Sequence, residues 1–148
     1  MPEWDYNSEE YSKEDLEFEL IPEGEHQVCI KNIEWKTTST GKDMYVIKCE
    51  ALNYRGSLFF YLVFDPSNTK MTNQFLGRIY DSFDIEEGNL NHNYWVGRWG
   101  AAEVIHEPYT AKNGELKKAA KIKKFLTQER QEELGFHLEI PGEGRIPF

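Results

Sequence analysis

Residues Lys117 to Leu126 read Lys-Lys-Ala-Ala-Lys-Ile-Lys-Lys-Phe-Leu, five lysines in ten residues of a chain whose formal net charge is -9. Gathering that much positive charge in an acidic protein fits a surface meant to meet something negative. At strand period, Lys118, Ala120, Ile122, Lys124 and Leu126 fall on one side, and Lys117, Ala119, Lys121, Lys123 and Phe125 on the other. The second side is a cationic row that ends in a ring. Lysines that follow a phosphate backbone, next to a base-sized aromatic, make the chemistry of a single-stranded nucleic-acid surface. The same residues also fit a solvated edge strand guarded from aggregation by its lysines.

Other residues extend that candidate surface. Trp35, Phe59, Tyr61 and Tyr109 are rings at positions where strand period or a loop presents them outward. Lys36, Lys42, Arg55 and Lys112 join Lys117, Lys121 and Lys123 as phosphate ligands. Each ring would serve equally as core or dimer filling, and each lysine as ordinary solvated surface. Trp95, Arg98 and Trp99 are close enough in sequence to form a cation-π group.

Catalytic chemistry is not legible. The histidines at 26, 92, 106 and 137 have no partners at metal spacing, and Cys29 and Cys49 stand singly in apolar runs, as core thiols of a reducing compartment. Glu34-Trp35-Lys36 and Glu115-Leu116-Lys117 echo a nuclease fragment but lack its aspartate. With no nucleophile triad, phosphate-binding glycine loop or redox pair, the expectation is a non-enzyme without cofactor or metal. There is no signal-peptide pattern and no apolar run of membrane-spanning length, so the reading is a cytoplasmic protein with no membrane contact.

Net charge conceals a division along the chain. Residues 1–25 hold ten acids and one lysine, net -9; residues 26–126 hold fourteen Lys or Arg and eleven acids, net +3; residues 127–148 hold two and five, net -3. The acidity lies at the ends and the body is mildly basic, which is compatible with a nucleic-acid partner. Three parts follow: an acidic arm over 1–19, a folded domain over 20–126, and a short helix with a flexible acidic tail over 127–148.

The body alternates short strands with turn signals. Strands are expected near His26 to Trp35, with a bulge where the apolar phase slips at Ile33; at Met44 to Leu52; at Ser57 to Phe64; and, after a helix from Thr69 to Phe83 with Met71 opening its apolar stripe, at Trp95 to His106. A loop from Glu107 to Glu115 containing Asn113-Gly114 then returns into the lysine strand. Three strands, a helix and a hairpin is the order of a five-stranded OB-fold barrel, mainly β. Its ligand face would lie on the second and third strands, flanked by loops Thr37 to Lys42 and Glu107 to Glu115. A small mixed α+β sheet domain without closure is the alternative.

The segment Leu20-Ile21-Pro22-Glu23-Gly24-Glu25 before Val28 and Ile30, then Lys36-Thr37 to Gly41 and Met44, the Gly97 strand, the Tyr109 and Asn113-Gly114 loop and the basic strand to Phe125, resembles a family of phage single-stranded DNA-binding proteins long catalogued as a domain of unknown function. The resemblance spans roughly residues 4 to 126. It implies an OB-fold that coats single strands during phage replication or recombination, with no catalytic residues. Separately, the terminal Ile146-Pro147-Phe148 is similar to the tip of bacterial single-stranded DNA-binding proteins, which implies docking on replication or recombination proteins through a ring and a free carboxylate. Gly142-Glu143-Gly144-Arg145 before it departs from the acidic run of those tips. The expectation is therefore a sequence-nonspecific single-stranded DNA-binding protein, and the alternative is a phage-type protein-interaction module that acts on a host or replication protein without binding DNA. A homodimer is one expected assembly.

Overall fold

The computed structural model describes residues 3–7 and 20–136. Most of the acidic arm, the last residues of the tail and the candidate partner contacts Ile146, Pro147 and Phe148 lie outside the described residues. The chain is mainly β. Strands β1 (Gly24–Thr37), β2 (Asp43–Ala51) and β3 (Leu58–Phe64) precede helix α1 (Thr69–Ser82) and a one-turn helix α2 (His92–Trp95); β4 (Trp99–Thr110), β5 (Leu116–Phe125) and helix α3 (Gln128–Glu133) follow. All five strands join in one open antiparallel sheet of order β3-β2-β1-β4-β5.

Two bulges set which side chains enter the core. In β1 the pairing passes from Ile30 opposite Cys49 to Asn32 opposite Lys48, so Lys31 is an extra residue and Val28, Ile30 and Ile33 can all face inward. This is the slip that Ile33 signals in the sequence. In β5 the pairing passes from Ile122 opposite Val104 to Lys124 opposite Glu103, and Lys123 is the extra residue. Ile122 and Phe125 therefore both point into the core, against the period-two reading that places Phe125 with the lysines.

Helix α1 is capped by the Asn68 side chain, which accepts from the Met71 amide at 3.2 Å. It buries Ile79, Tyr80 and Ser82, with Phe75 and Leu76 partly covered. Met71, expected to open the apolar stripe, is exposed; Thr72 takes the inward position because its hydroxyl ties the helix to the end of β3, accepting from the Asp65 amide at 3.1 Å and lying 3.3 Å from the Val63 carbonyl. Trp95 belongs to α2 and not to the fourth strand: fully buried, it donates to the Asn89 carbonyl at 2.9 Å. The chain then turns at Gly97, whose φ of 92° lies in the left-handed region, and β4 begins four residues later than the sequence implies.

β4 approaches α1 so closely that a side chain at Gly100 has no room. A Cβ there would lie 2.7 Å from a Phe83 ring carbon and 2.8 Å from the Ser82 hydroxyl. Gly100→Ala is expected to destabilise the fold by about 1–3 kcal/mol through overpacking. Thermal unfolding followed by circular dichroism checks this, and an unchanged midpoint would mean that Phe83 yields freely.

The sheet is coiled enough that its two edges meet inside the core. Phe60 of β3 and Phe125 of β5 stand with ring centroids 5.1 Å apart, and Phe125 also meets Phe83 at 5.2 Å. Among the described residues no helix is long and apolar enough to cross a membrane.

Candidate nucleic-acid interface

Since Phe60 points inward, its neighbours Phe59 and Tyr61 must point out, and they are 42% and 59% exposed. Strand register places them in two cross-strand rows. Asn32, Lys48 and Phe59 form one, and Glu34, Val46 and Tyr61 the other. A third row, Lys36, Met44 and Val63, completes an outer face with two rings and two lysines, where Lys36 lies 3.7 Å from Glu34. Lys48 is absent from the sequence reading. Nothing local marks it, because its place opposite Phe59 is fixed by the pairing of β2 with β3.

The lysine strand divides differently from the sequence expectation. Phe125 is 2% exposed and is removed from the candidate interface. Lys121 and Lys124 share the outer side of β5 with acids of β4: Lys121 pairs with Glu107 at 3.0 Å and Lys124 with Glu103 at 3.8 Å. These are exposed pairs of about 0–1 kcal/mol, which leaves the lysines able to accept another anion. Lys117 lies opposite Tyr109, which is exposed on β4 itself and not in a loop, because the strand runs on to Thr110. The connecting turn is residues 111–115, closed by the Ala111 amide donating to the Glu115 carbonyl at 2.8 Å, with Lys112 exposed at its tip.

The meeting of Phe60 and Phe125 brings two outer faces together. Phe59 and Tyr61 flank Phe60 on the outside of β3, and the exposed Lys123 and Lys124 immediately precede Phe125 in β5, so rings and cations border one seam. A contact between residues 65 positions apart assembles what the sequence places in a single strand.

Other candidates stand apart. Trp35 is 65% exposed but pairs with Tyr45, so it shares the core-facing side of the sheet and not the side of Phe59; its Nε1 donates to Asp43 Oδ1 at 3.2 Å. Lys42 pairs with Asp65 at 3.3 Å. Hydrogen bonds from Ser67, helped by Lys42, hold the Asp65 carboxyl below the usual carboxylate range. Arg55 is exposed in the β2–β3 loop. The two loops expected to flank the face lie beyond opposite ends of β1: 38–42 follows Thr37, while the β4–β5 tip projects past Gly24. Arg98 stacks on Tyr94, 4.0 Å from its centroid, and not between Trp95 and Trp99.

Among the described residues no three His, Cys, Asp or Glu side chains gather as a metal site. Burial pushes the Cys49 thiol, and less so Cys29, above the ordinary range, which keeps both protonated and unreactive. No protein-family model matches the chain, and no curated protein matches it.

Proposed function

We propose that the chain is an OB-fold protein that binds single-stranded DNA with little sequence preference, of the kind that serves phage replication or recombination in the host cytoplasm. The observation that carries this reading is the β3–β5 seam, where Phe59 and Tyr61 border Lys123 and Lys124. The strand order, with α1 inserted between β3 and β4 and the two edge strands meeting through Phe60 and Phe125, supports the OB-fold reading. The resemblance to the phage proteins favours the same reading.

Ring spacing selects the ligand. Residues i and i+2 of a strand lie roughly 6.6–6.8 Å apart. Stacked bases in a duplex rise by about 3.4 Å per step. Phe59 and Tyr61 therefore fit consecutive bases of an extended, unstacked strand and not of a duplex. Lys36, Lys48, Lys123 and Lys124 supply charge for the backbone between them. None of these groups reads a base edge, so binding follows stacking and phosphate contacts.

Fluorescence titration with oligo-dT, oligo-rU and duplex DNA at two salt concentrations tests the proposal. The expected result is binding of oligo-dT whose log affinity falls with log salt by about 0.7 per phosphate neutralised. An affinity indifferent to salt, or binding of duplex in preference to oligo-dT, overturns it.

A further inference from the structure

At the end of β5 the outer surface opens into a groove of about 510 Å³, lined by Arg78 of α1, Lys124, Arg130 of α3, and Glu25 and Glu103. Each acid there has its own cation. Arg130 holds Glu25 through two hydrogen bonds of 2.8 Å, and Glu103 lies 3.8 Å from Lys124. Arg78 is the surplus charge. It is exposed, spends one donor on the Phe125 carbonyl at 3.3 Å, and has no carboxylate within ion-pair distance among the described residues. A guanidinium carries five N–H donors in a fixed fork, so most of its capacity to grip an oxyanion is unspent.

Lys124 belongs both to this groove and to the seam, since it is exposed and immediately precedes Phe125. We propose that the groove holds a backbone phosphate of the same strand that the rings of β3 stack, with Arg78 as its anchor and Lys124 as the link between the two. The inference rests on the single-strand reading and extends that site toward α1. No aromatic side chain lines the groove, so it grips backbone and takes no base. An adjoining hollow shares Arg78 and Thr127 but contains Asp81 without a balancing second cation, which places the phosphate on the β5 side of Arg78.

The test is a length series of oligo-dT, from about four to sixteen nucleotides, the range one such domain occupies, titrated against the full chain and its R78Q, R78K and K124Q variants. R78Q is expected to weaken the longest oligomer severalfold and to reduce its log–log salt slope by about 0.7, while the shortest, held by the rings, binds as before; K124Q, which removes a cation shared with the seam, is expected to weaken every length, but the longest most. R78K should keep most of the slope. Arg78 also bonds the Phe125 carbonyl, so K124Q, which breaks no backbone contact, keeps the test decisive if R78Q folds poorly. Variants that match the parent at every length overturn the groove and leave the single-strand reading standing, as does a loss equal at every length, which would mean that the residues act through the fold. A parent chain that binds no oligo-dT overturns both.

Discussion

Replacing Phe59 and Tyr61 together by alanine is expected to lower affinity for oligo-dT by about 2–6 kcal/mol, from roughly 1–3 kcal/mol of stacking per ring. The thermal midpoint should move little, because both rings are exposed on the outer side of β3 while Leu58 and Leu62 anchor the strand in the core. The pairing of those outcomes is the useful part: a binding loss with an unchanged melt assigns the rings to the ligand. Unchanged affinity would remove them from the site, and a large drop in the midpoint would show that they serve packing. Isothermal titration and a circular-dichroism melt on the same preparations supply both readouts.

Phe125→Ala is expected to have the largest effect on stability, about 3–5 kcal/mol for emptying a buried aromatic position. Against a typical stability of 5–15 kcal/mol that is a substantial share. The loss goes beyond transfer of one ring, because Phe125 meets both Phe60 and Phe83 and so joins the far edges of the sheet to the end of α1. Phe125→Leu should recover much of the stability. Urea unfolding of the two variants checks this; a loss below about 1 kcal/mol for the alanine variant would mean that the edges are held by other contacts.

The contrast between these residues shows what was legible in the chain. Tyr45, Ile47, Cys49 and Ala51 recur at every second position of β2, and all four are buried as that period requires. Asn113-Gly114 marked the hairpin, and Gly114 has the positive φ of 87° that such a turn uses. The bulge in β1 showed itself because Ile33 breaks an apolar pattern. The bulge at Lys123 did not, since the residues around it are lysines whose phase carries no hydrophobic signal, and unbroken alternation puts Phe125 on the side opposite to the one it takes. Phe125 followed directly by Leu126 was the available hint: both are buried, which strict alternation cannot provide.

Part of the candidate interface can be picked out of the sequence as rings and cations, but not its assembly. Phe59 and Tyr61 follow from period alone. Their nearness to the β5 lysines depends on a coiled sheet and on two rings meeting across its edges, and Lys48 depends on register; neither is local. Trp35 shows the reverse error. It is exposed as expected, yet its pairing with Tyr45 sends it to the other side of the sheet.

The Ser82 hydroxyl lies 3.1 Å from both the amide and the carbonyl of Ala101, and the amide groups of Gln128 and Gln131 reach back to the Ser82 carbonyl at 3.1 and 3.0 Å. Gln131 also donates to the Leu126 carbonyl at 3.1 Å. Helix α3, last in order along the described chain, is thus tied to the end of α1 and the start of β4. A polypeptide trimmed back to Leu126, the end of the folded domain as the sequence divides it, would surrender the donors that satisfy these carbonyls. A chain that ends at Leu126 is therefore expected to be less stable than one that runs through Gln131, and shortening experiments should respect that limit.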